Sequence, residues 1–138
     1  MVNLFQQIVG LAQEDMPCAF ADENLIIRAS NRAMNHWAEL DVESLVGYSL
    51  SDAFPELVGL DRYLSRLLHN PNEVFTIAMI NRPSSSGMEN YFDLTVQAYQ
   101  GDEKGLLLSV SDVTEQTHLA RQQQQEDNER YLRMREYG

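Results

Sequence analysis

The sequence predicts an α+β domain, in which a five-stranded antiparallel sheet carries helices on one face and a further helix flanks it at each end. Three observations support this fold class. Apolar residues recur at helical spacing in residues 1–15 and between residues 31 and 70, whereas alternating or β-branched apolar runs occur before and after that middle segment. The strand-like runs are separated by short polar turns, which favour antiparallel neighbours. The chain has 138 residues, about the length of one domain.

An amphipathic helix is predicted over residues 1–15. Its apolar side chains recur every three or four positions and form one stripe. A lone terminal helix should not expose a stripe of that size to water, so we expect it to be a dimerisation surface. The helix is expected to end before Pro17, because the residue preceding a proline avoids the helical conformation. The stripe consists of Leu4, Phe5, Ile8 and Leu11.

The central domain, residues 16–114, is predicted to begin with two short strands in "PCAFADENLIIRAS", on either side of a polar turn. Asn31 is predicted to cap the next helix by accepting hydrogen bonds from the free N–H groups of its first turn. A second short helix is predicted in "DVESLVG", with Asp41 as its cap and Gly47 as its exit. Residues 49–70 then supply a brief helical turn and a longer, leucine-rich helix.

Three strands are predicted in the second half of this domain, in "EVFTIAMINR", "NYFDLTVQAY" and "LLLSVS". The middle one alternates between apolar and polar residues, so its apolar side chains should share one face of the sheet. The leucines of the preceding helical segment can cover that face, and a pocket between sheet and helices is the usual place for a ligand.

A C-terminal helix is predicted over residues 115–138, directly after the last strand. Asp112 is expected to cap it, with Glu115 reaching back as in a capping box. The segment from Arg121 to Arg130 is polar, whereas a self-sufficient coiled coil needs apolar residues every three or four positions. Two interpretations stay open: a frayed end, and a signalling or linker helix that a downstream partner completes.

Composition argues against two classes of partner. The net charge is −11, whereas proteins that bind nucleic acids or anionic membranes need a basic face to neutralise phosphates. The only cysteine, Cys18, excludes an intrachain disulfide and a cluster of thiolate metal ligands. The first residues lack the basic region of a secretory signal, and no apolar run approaches the ~20 residues that span a bilayer. We therefore expect a cytoplasmic segment that contacts neither nucleic acid nor membrane.

No catalytic centre is predicted in the domain itself. His36, His69 and His118 lie in different elements and have no matching serine or aspartate signature. The motifs of nucleophile elbows, phosphate-binding loops and zinc peptidases are also missing from the sequence. A catalytic domain, if there is one, would belong to another part of the full-length protein.

Three segments, in this order, resemble the PAS domain family. They are "ADENLIIRASNRAM", a turn and strand that end in a helix-starting Asn; "VESLVGYSLSDAFPEL", which shapes the pocket mouth; and "YFDLTVQAYQGDEKGLLLSVSDVTEQ", the last hairpin with its closing Asp-Val-Thr. The resemblance covers about residues 16–116. It implies a sensor or signal-relay domain that forms a homodimer through its flanking helices and regulates a downstream effector domain.

The commonest such effector is a two-component sensor histidine kinase, so the resemblance implies the N-terminal regulatory input of a larger protein of that kind. A cyclic-di-GMP enzyme and a transcription activator are the alternatives. In each case the last strand would relay its movement to the C-terminal helix. The residues expected to carry that relay are Asp112, Thr114 and Glu115.

The resemblance also raises the question of a cofactor. The flavin-binding subclass uses a cysteine in an Asn-Cys-Arg-Phe-Leu-Gln motif that this sequence lacks, and Cys18 precedes the first strand. In the haem-binding subclass a histidine holds the iron, and only His69 or His36 would serve here. A small apolar ligand is the remaining alternative, in a chemoreceptor.

Our expectation is no cofactor and no metal, because methionines and aromatics at these spacings are more often core residues than a ligand box. The residues expected to face the space between sheet and helices are Met34, Trp37, Phe54, Tyr63, Leu67, Ile77, Met79, Phe92 and Leu94.

Overall fold

The computed structural model describes residues 16–84, 86–101 and 103–137. Its strands are β1 (Cys18–Ala21), β2 (Ile27–Ser30), β3 (Val74–Asn81), β4 (Tyr91–Gln100) and β5 (Lys104–Asp112). Its helices are α1 (Arg32–Asn35), α2 (Leu50–Ala53), α3 (Asp61–Leu67) and α4 (Thr114–Tyr137), and Pro55–Leu57 forms a 3-10 turn. The strands make one antiparallel sheet in the order β2-β1-β5-β4-β3, which confirms the predicted fold class. The predicted helix over residues 1–15, with its dimerisation stripe, lies outside the described residues.

The hydrophobic core lies between the inner face of the sheet and the helices of the middle segment. Phe92, Leu94 and Val96 of β4 have no exposed surface, because alternate residues of a strand point to the same face. The register places Leu94 opposite Val110 and Val96 opposite Leu108 of β5. The helical segment contributes Met34, Leu45, Leu50, Phe54, Leu57, Leu64 and Leu67, all buried. The predicted alternation of β4 therefore decides which side of the sheet the helices cover.

Asn31 performs the predicted capping role and also joins two elements. Its side-chain oxygen accepts a hydrogen bond from the Met34 N–H at 3.0 Å and another from the Cys18 N–H at 3.2 Å. Its side-chain nitrogen donates to the Met16 carbonyl oxygen at 2.5 Å. The buried amide is thus satisfied by backbone groups, and it fixes the start of α1 against β1. The helix itself is short and ends at Asn35.

The helix predicted in "DVESLVG" does not form, so this prediction and the capping role of Asp41 are wrong. The segment is irregular, with a bend at residues 42–43, and closes with a turn at Gly47, whose φ is +94°. Its backbone bonds to β2: the Gly47 N–H donates to the Ile27 carbonyl at 2.8 Å, and the Ile27 N–H donates to the Tyr48 carbonyl at 2.9 Å. Because the Gly47 N–H pairs with a strand, it is not free for a helical hydrogen-bond ladder, and the Tyr48 carbonyl that follows is engaged by the same strand.

Among the described residues, no helix has both the length and the hydropathy that a membrane span requires.

Candidate functional site

The structure brings eight of the nine predicted pocket residues to the space between sheet and helices. Six are buried, and Tyr63 and Ile77 are half-buried against the same cluster. The ring of Phe92 lies at the centre, with ring centroids 5.0 Å from Trp37 and 6.4 Å from Phe54. These are normal packing distances for aromatic side chains, so the rings fill the space around one another. The buried six are Met34, Trp37, Phe54, Leu67, Phe92 and Leu94.

Met79 is the ninth, and the prediction that it faces the interior is wrong. The register between β3 and β4 shifts between Ile77 and Ile80, and Met79 lies in the resulting bulge with φ +54°. Its N–H donates to a side-chain oxygen of Asp93 at 2.8 Å instead of to the sheet. A bulge adds a residue and so reverses the alternation of side chains. The Met79 side chain is consequently 62% exposed.

Arg82 closes the rim of this interior cluster. Its Nε donates to the Trp37 carbonyl oxygen at 3.1 Å, and Nη2 donates to Glu56 Oε1 at 2.7 Å. Nη1 bonds Glu39, and the guanidinium lies 5.3 Å from the centroid of the Phe92 ring. The side chains of Arg82 and Glu56 are only 14% and 21% exposed, so their charge-assisted contact is largely shielded from bulk water, whereas Glu39 is 54% exposed. The contacts of Arg82 tie the end of β3 to the helical layer.

Nothing in the sequence pattern indicated the role of Arg82. The arginine and Glu56 are 26 residues apart. Glu56 lies in "VESLVGYSLSDAFPEL", whereas Arg82 lies in none of the three segments that resemble the family. Only the packing of β3 beside the helical layer brings their side chains together.

A second group of contacts joins the sheet to the C-terminal helix. The Thr114 hydroxyl accepts from the Tyr91 N–H at 3.0 Å and donates to Asp112 Oδ1 at 2.6 Å. The Thr114 N–H donates to the same carboxylate oxygen at 3.0 Å, and the Val113 N–H donates to the Tyr91 carbonyl at 2.9 Å. Four hydrogen bonds therefore connect the start of β4, the end of β5 and the first residue of α4.

The predicted capping box is wrong in its details. The Asp112 carboxylate binds Thr114, the first helical residue, and does not reach further into the helix. Glu115 is exposed, and within the described part of the chain its side chain makes no return contact to the cap. The reason is that the helix begins at Thr114, so Glu115 is its second residue and not the third, from which a capping-box side chain reaches back. Asp112 and Thr114 meet as the sequence suggested, whereas Glu115 takes no part in the junction.

The side chain of Tyr91 provides further contacts that sequence reasoning missed. Its hydroxyl donates to Glu89 Oε2 at 2.6 Å and accepts from Arg121 Nη1 at 2.8 Å. The Arg121 guanidinium lies 4.9 Å from the ring centroid, and the His118 ring packs edge-on at 5.6 Å. The hydrogen bond to Glu89, aided by burial, raises the pKa of Tyr91 above its ordinary value of 10.0, while the charge of Arg121 opposes the shift.

The two histidines considered as haem ligands both lie outside the interior cluster. His36 is exposed and packs its ring edge-on against Trp37, with centroids 5.2 Å apart. His69 is exposed at the end of α3, where its Nδ1 lies 2.9 Å from the Nζ of Lys104. Neither imidazole faces the space between sheet and helices. Within the described ranges, no group of three or more His, Cys, Asp or Glu side chains is placed to hold a metal ion.

Comparison with known families gives one extensive match. The family described as "PAS fold" matches residues 11–118, more than half of the chain. No curated protein matches the sequence.

Solved structures with the same fold include three of interest. A VqmA dimer of Vibrio cholerae is 14% identical, with a TM-score of 0.62. Its description refers to LuxR-type receptors and to a conformation in the absence of target DNA. The alignment covers 84% of this chain and 53% of VqmA, so the chain spans about half the length of that protein. The PAS domain of BvgS from Bordetella pertussis is 16% identical, with a TM-score of 0.58 and coverage of 89% and 95%. The PAS domain of the histidine kinase ThkA is 14% identical, with a TM-score of 0.50 and coverage of 70% and 98%.

Proposed function

This chain belongs to the PAS fold family, and on that premise we propose that it is a sensor and signal-relay domain. It serves as the dimerising regulatory input of a larger protein such as a two-component sensor histidine kinase. The observation that carries the proposal is the hydrogen-bonded junction of Asp112 and Thr114 with Tyr91, which couples the sheet to a helix of 24 residues. The domain itself is not a catalyst in this proposal.

The relay rests on two consecutive residues of β4. Phe92 points into the aromatic cluster, whereas the backbone of Tyr91 holds Thr114 and Val113 at the start of α4. Because Tyr91 and Phe92 are joined by a peptide bond, a rearrangement of the core that moves Phe92 also displaces the Tyr91 backbone groups that hold the helix. Movement in the interior is therefore converted into movement of α4.

The helix fits an output connector better than a stable domain of its own. Between Gln122 and Arg133 every residue is exposed, and Tyr131 and Leu132 remain 62% and 57% exposed. A helix that is polar nearly all round needs a partner to be stable over this length. The proposal also includes homodimerisation through the flanking helices, a downstream effector domain and a cytoplasmic location. These three parts are supported by the sequence arguments alone.

The type of effector follows from analogy. The likeness to the PAS domain of the histidine kinase ThkA supports the kinase, and the likeness to VqmA supports a transcription activator as the second candidate. At these identities the likeness concerns the fold, so the kinase is preferred on family precedent. A cyclic-di-GMP enzyme is the remaining alternative.

The relay can be tested without knowing the natural signal, by using Phe92→Leu to perturb the core. We expect this substitution to shift the backbone NMR resonances of residues 114–121, since the strand displacement reaches Thr114. In a Thr114→Val background the same perturbation should shift them several-fold less, because valine keeps the shape but loses the hydroxyl.

Ser111→Ala is the matched control background. Ser111 is an exposed residue of β5 directly before Asp112, and its replacement should leave the response to Phe92→Leu intact. If Phe92→Leu moves the helix resonances equally with and without the Thr114 hydroxyl, the junction is not the relay.

We further propose that the domain works without haem or flavin. What supports this is the mutual packing of Trp37, Phe54 and Phe92, together with the outward position of both candidate histidines. The protein as purified should show no visible absorption band, and native mass spectrometry should give the mass of the polypeptide alone. A coloured preparation, or a retained small molecule, would instead favour the chemoreceptor alternative.

A further inference from the structure

We propose that Tyr91 sets the direction in which the output helix α4 leaves the domain, through a clasp formed by Tyr91, Glu89, His118 and Arg121. This inference deepens the proposed relay and rests on it for its signalling meaning. The junction at Thr114 holds only the start of the helix. The Tyr91 clasp supplies a second attachment farther along the axis.

One face of α4 makes all of these contacts. Thr114, Thr117, His118 and Arg121 recur at spacings of three and four, which places them on the same side of a helix. Thr117 is 6% exposed, whereas every residue from Gln122 to Arg133 is exposed. The docked part of the helix therefore ends at Arg121, where the clasp lies.

Tyr91 is buried, and its hydroxyl is engaged both as a donor and as an acceptor. Its side chain is 2% exposed, with the phenol oxygen acting as donor to Glu89 and as acceptor from Arg121. Because the single phenol hydrogen is donated in the hydrogen bond to Glu89, the lone pairs of the phenol oxygen are left to accept from the Arg121 guanidinium. His118 Nε2 also lies 3.4 Å from the Glu89 carbonyl oxygen, which adds a weaker tie between the helix and this loop.

Two attachments have a mechanical consequence that one does not. Arg121 lies seven positions after Thr114, which is about 10 Å along a helix axis. A helix held only at Thr114 can swing, whereas one held at both residues has a defined direction. Since the helix continues to Tyr137, a sideways shift at Arg121 is magnified about threefold at its far end. Closing and opening of the clasp is therefore a change that a downstream domain can detect.

The test removes the hydroxyl and keeps the ring. In Tyr91→Phe we expect the amide hydrogens of residues 117–121, the first of α4 to be bonded within the helix, to exchange at least fivefold faster, while those of residues 106–110 in β5 keep their rates. Spin labels on cysteines introduced at Thr76 and Gln125, in a Cys18→Ala background, should show a broader distance distribution. The midpoint of urea unfolding is measured beside them, so that a local release of α4 is distinguished from a general loss of stability.

Tyr63→Phe is the matched control, because the Tyr63 hydroxyl also donates to a carboxylate, that of Glu73 at 3.0 Å, away from α4. It should leave both measurements unchanged. Arg121→Gln removes the helix side of the clasp at an exposed position and should reproduce Tyr91→Phe.

The proposal is overturned if Tyr91→Phe leaves exchange and label distances as in the parent, or if Tyr63→Phe changes them equally. Failure of the relay gives a different result: the clasp variants still alter the helix, but Phe92→Leu no longer shifts its resonances.

Discussion

Replacing Phe92 by alanine is expected to lower the free energy of unfolding by about 3–5 kcal/mol. The ring has no exposed surface and contacts Trp37 and Phe54, with the Arg82 guanidinium over its face. Alanine removes the transfer free energy of the ring and leaves a cavity that the surrounding side chains fill only in part. Urea unfolding, followed by tryptophan fluorescence and circular dichroism together, measures the loss.

Tyr131→Ala is the matched control, since it removes an aromatic side chain that is 62% exposed on α4. It should change the unfolding free energy by no more than about 0.5 kcal/mol. A loss below about 1 kcal/mol for Phe92→Ala would show that the interior is not packed around this ring and would reopen the question of a ligand space. Phe92→Leu retains most of the apolar volume, and the relay can therefore be studied in folded protein even if the alanine variant does not fold.

Gly105→Ala is expected to cost about 3 kcal/mol, the upper end of the range for overpacking. Gly105 lies buried in β5, and a Cβ atom there would overlap the Ala21 carbonyl oxygen and the Phe20 ring. The carbonyl belongs to the β1–β5 ladder, in which Ala21 pairs with Leu106. Relief of the overlap therefore requires a shift of one central strand relative to its neighbour. The change is measured by chemical denaturation.

Gly101→Ala provides a comparison in the turn of the same hairpin, between β4 and β5. There the three atoms nearest to an added Cβ all lie at the far end of the Tyr99 side chain, which can rotate. Rotation disturbs the edge-on contact between Tyr99 and Phe20, whose centroids lie 5.4 Å apart, and the expected cost is about 1 kcal/mol. Equal losses for the two variants would show that the β1–β5 approach at Gly105 is not the constraint.

These expectations bear on different parts of the proposed mechanism. Phe92 tests whether the interior is a packed core that can transmit movement, and Gly105 tests whether β1 and β5 form a rigid platform. A rigid platform matters because β5 leads directly into Asp112 and the helix. If the platform yielded, movement of the core would dissipate before it reached α4.

Local patterns in the sequence predicted much of this fold. The alternation along β4 identified the inner positions of Phe92, Leu94 and Val96, because a strand repeats every two residues whatever its neighbours are. Asn31 was recognisable as a cap from its place before a helical segment, and its side chain does accept the Met34 N–H. The meeting of Asp112 with Thr114 also needs only residues that are close in sequence.

Predictions failed where the decisive partner was distant or where a local rule had a competitor. "DVESLVG" has an acceptable helical pattern, but its backbone pairs with β2 around Ile27. Met79 fits the alternation of a strand, yet a bulge bonded to Asp93 turns it outward. Glu115 matches a capping box, but the helix begins at Thr114, so Glu115 is its second residue and not its third.

The sequence by itself therefore determined the order of the strands, the buried face of β4 and the meeting of Asp112 with Thr114 at the C-terminal helix. Only the tertiary structure decided how that helix is held and how the interior is closed. Arg121 meets Tyr91 across 30 residues of chain, and Arg82 meets Glu56 across 26 and Trp37 across 45. Such contacts leave no periodic trace, because their energy comes from charge and hydrogen bonding between groups that only the completed fold brings together.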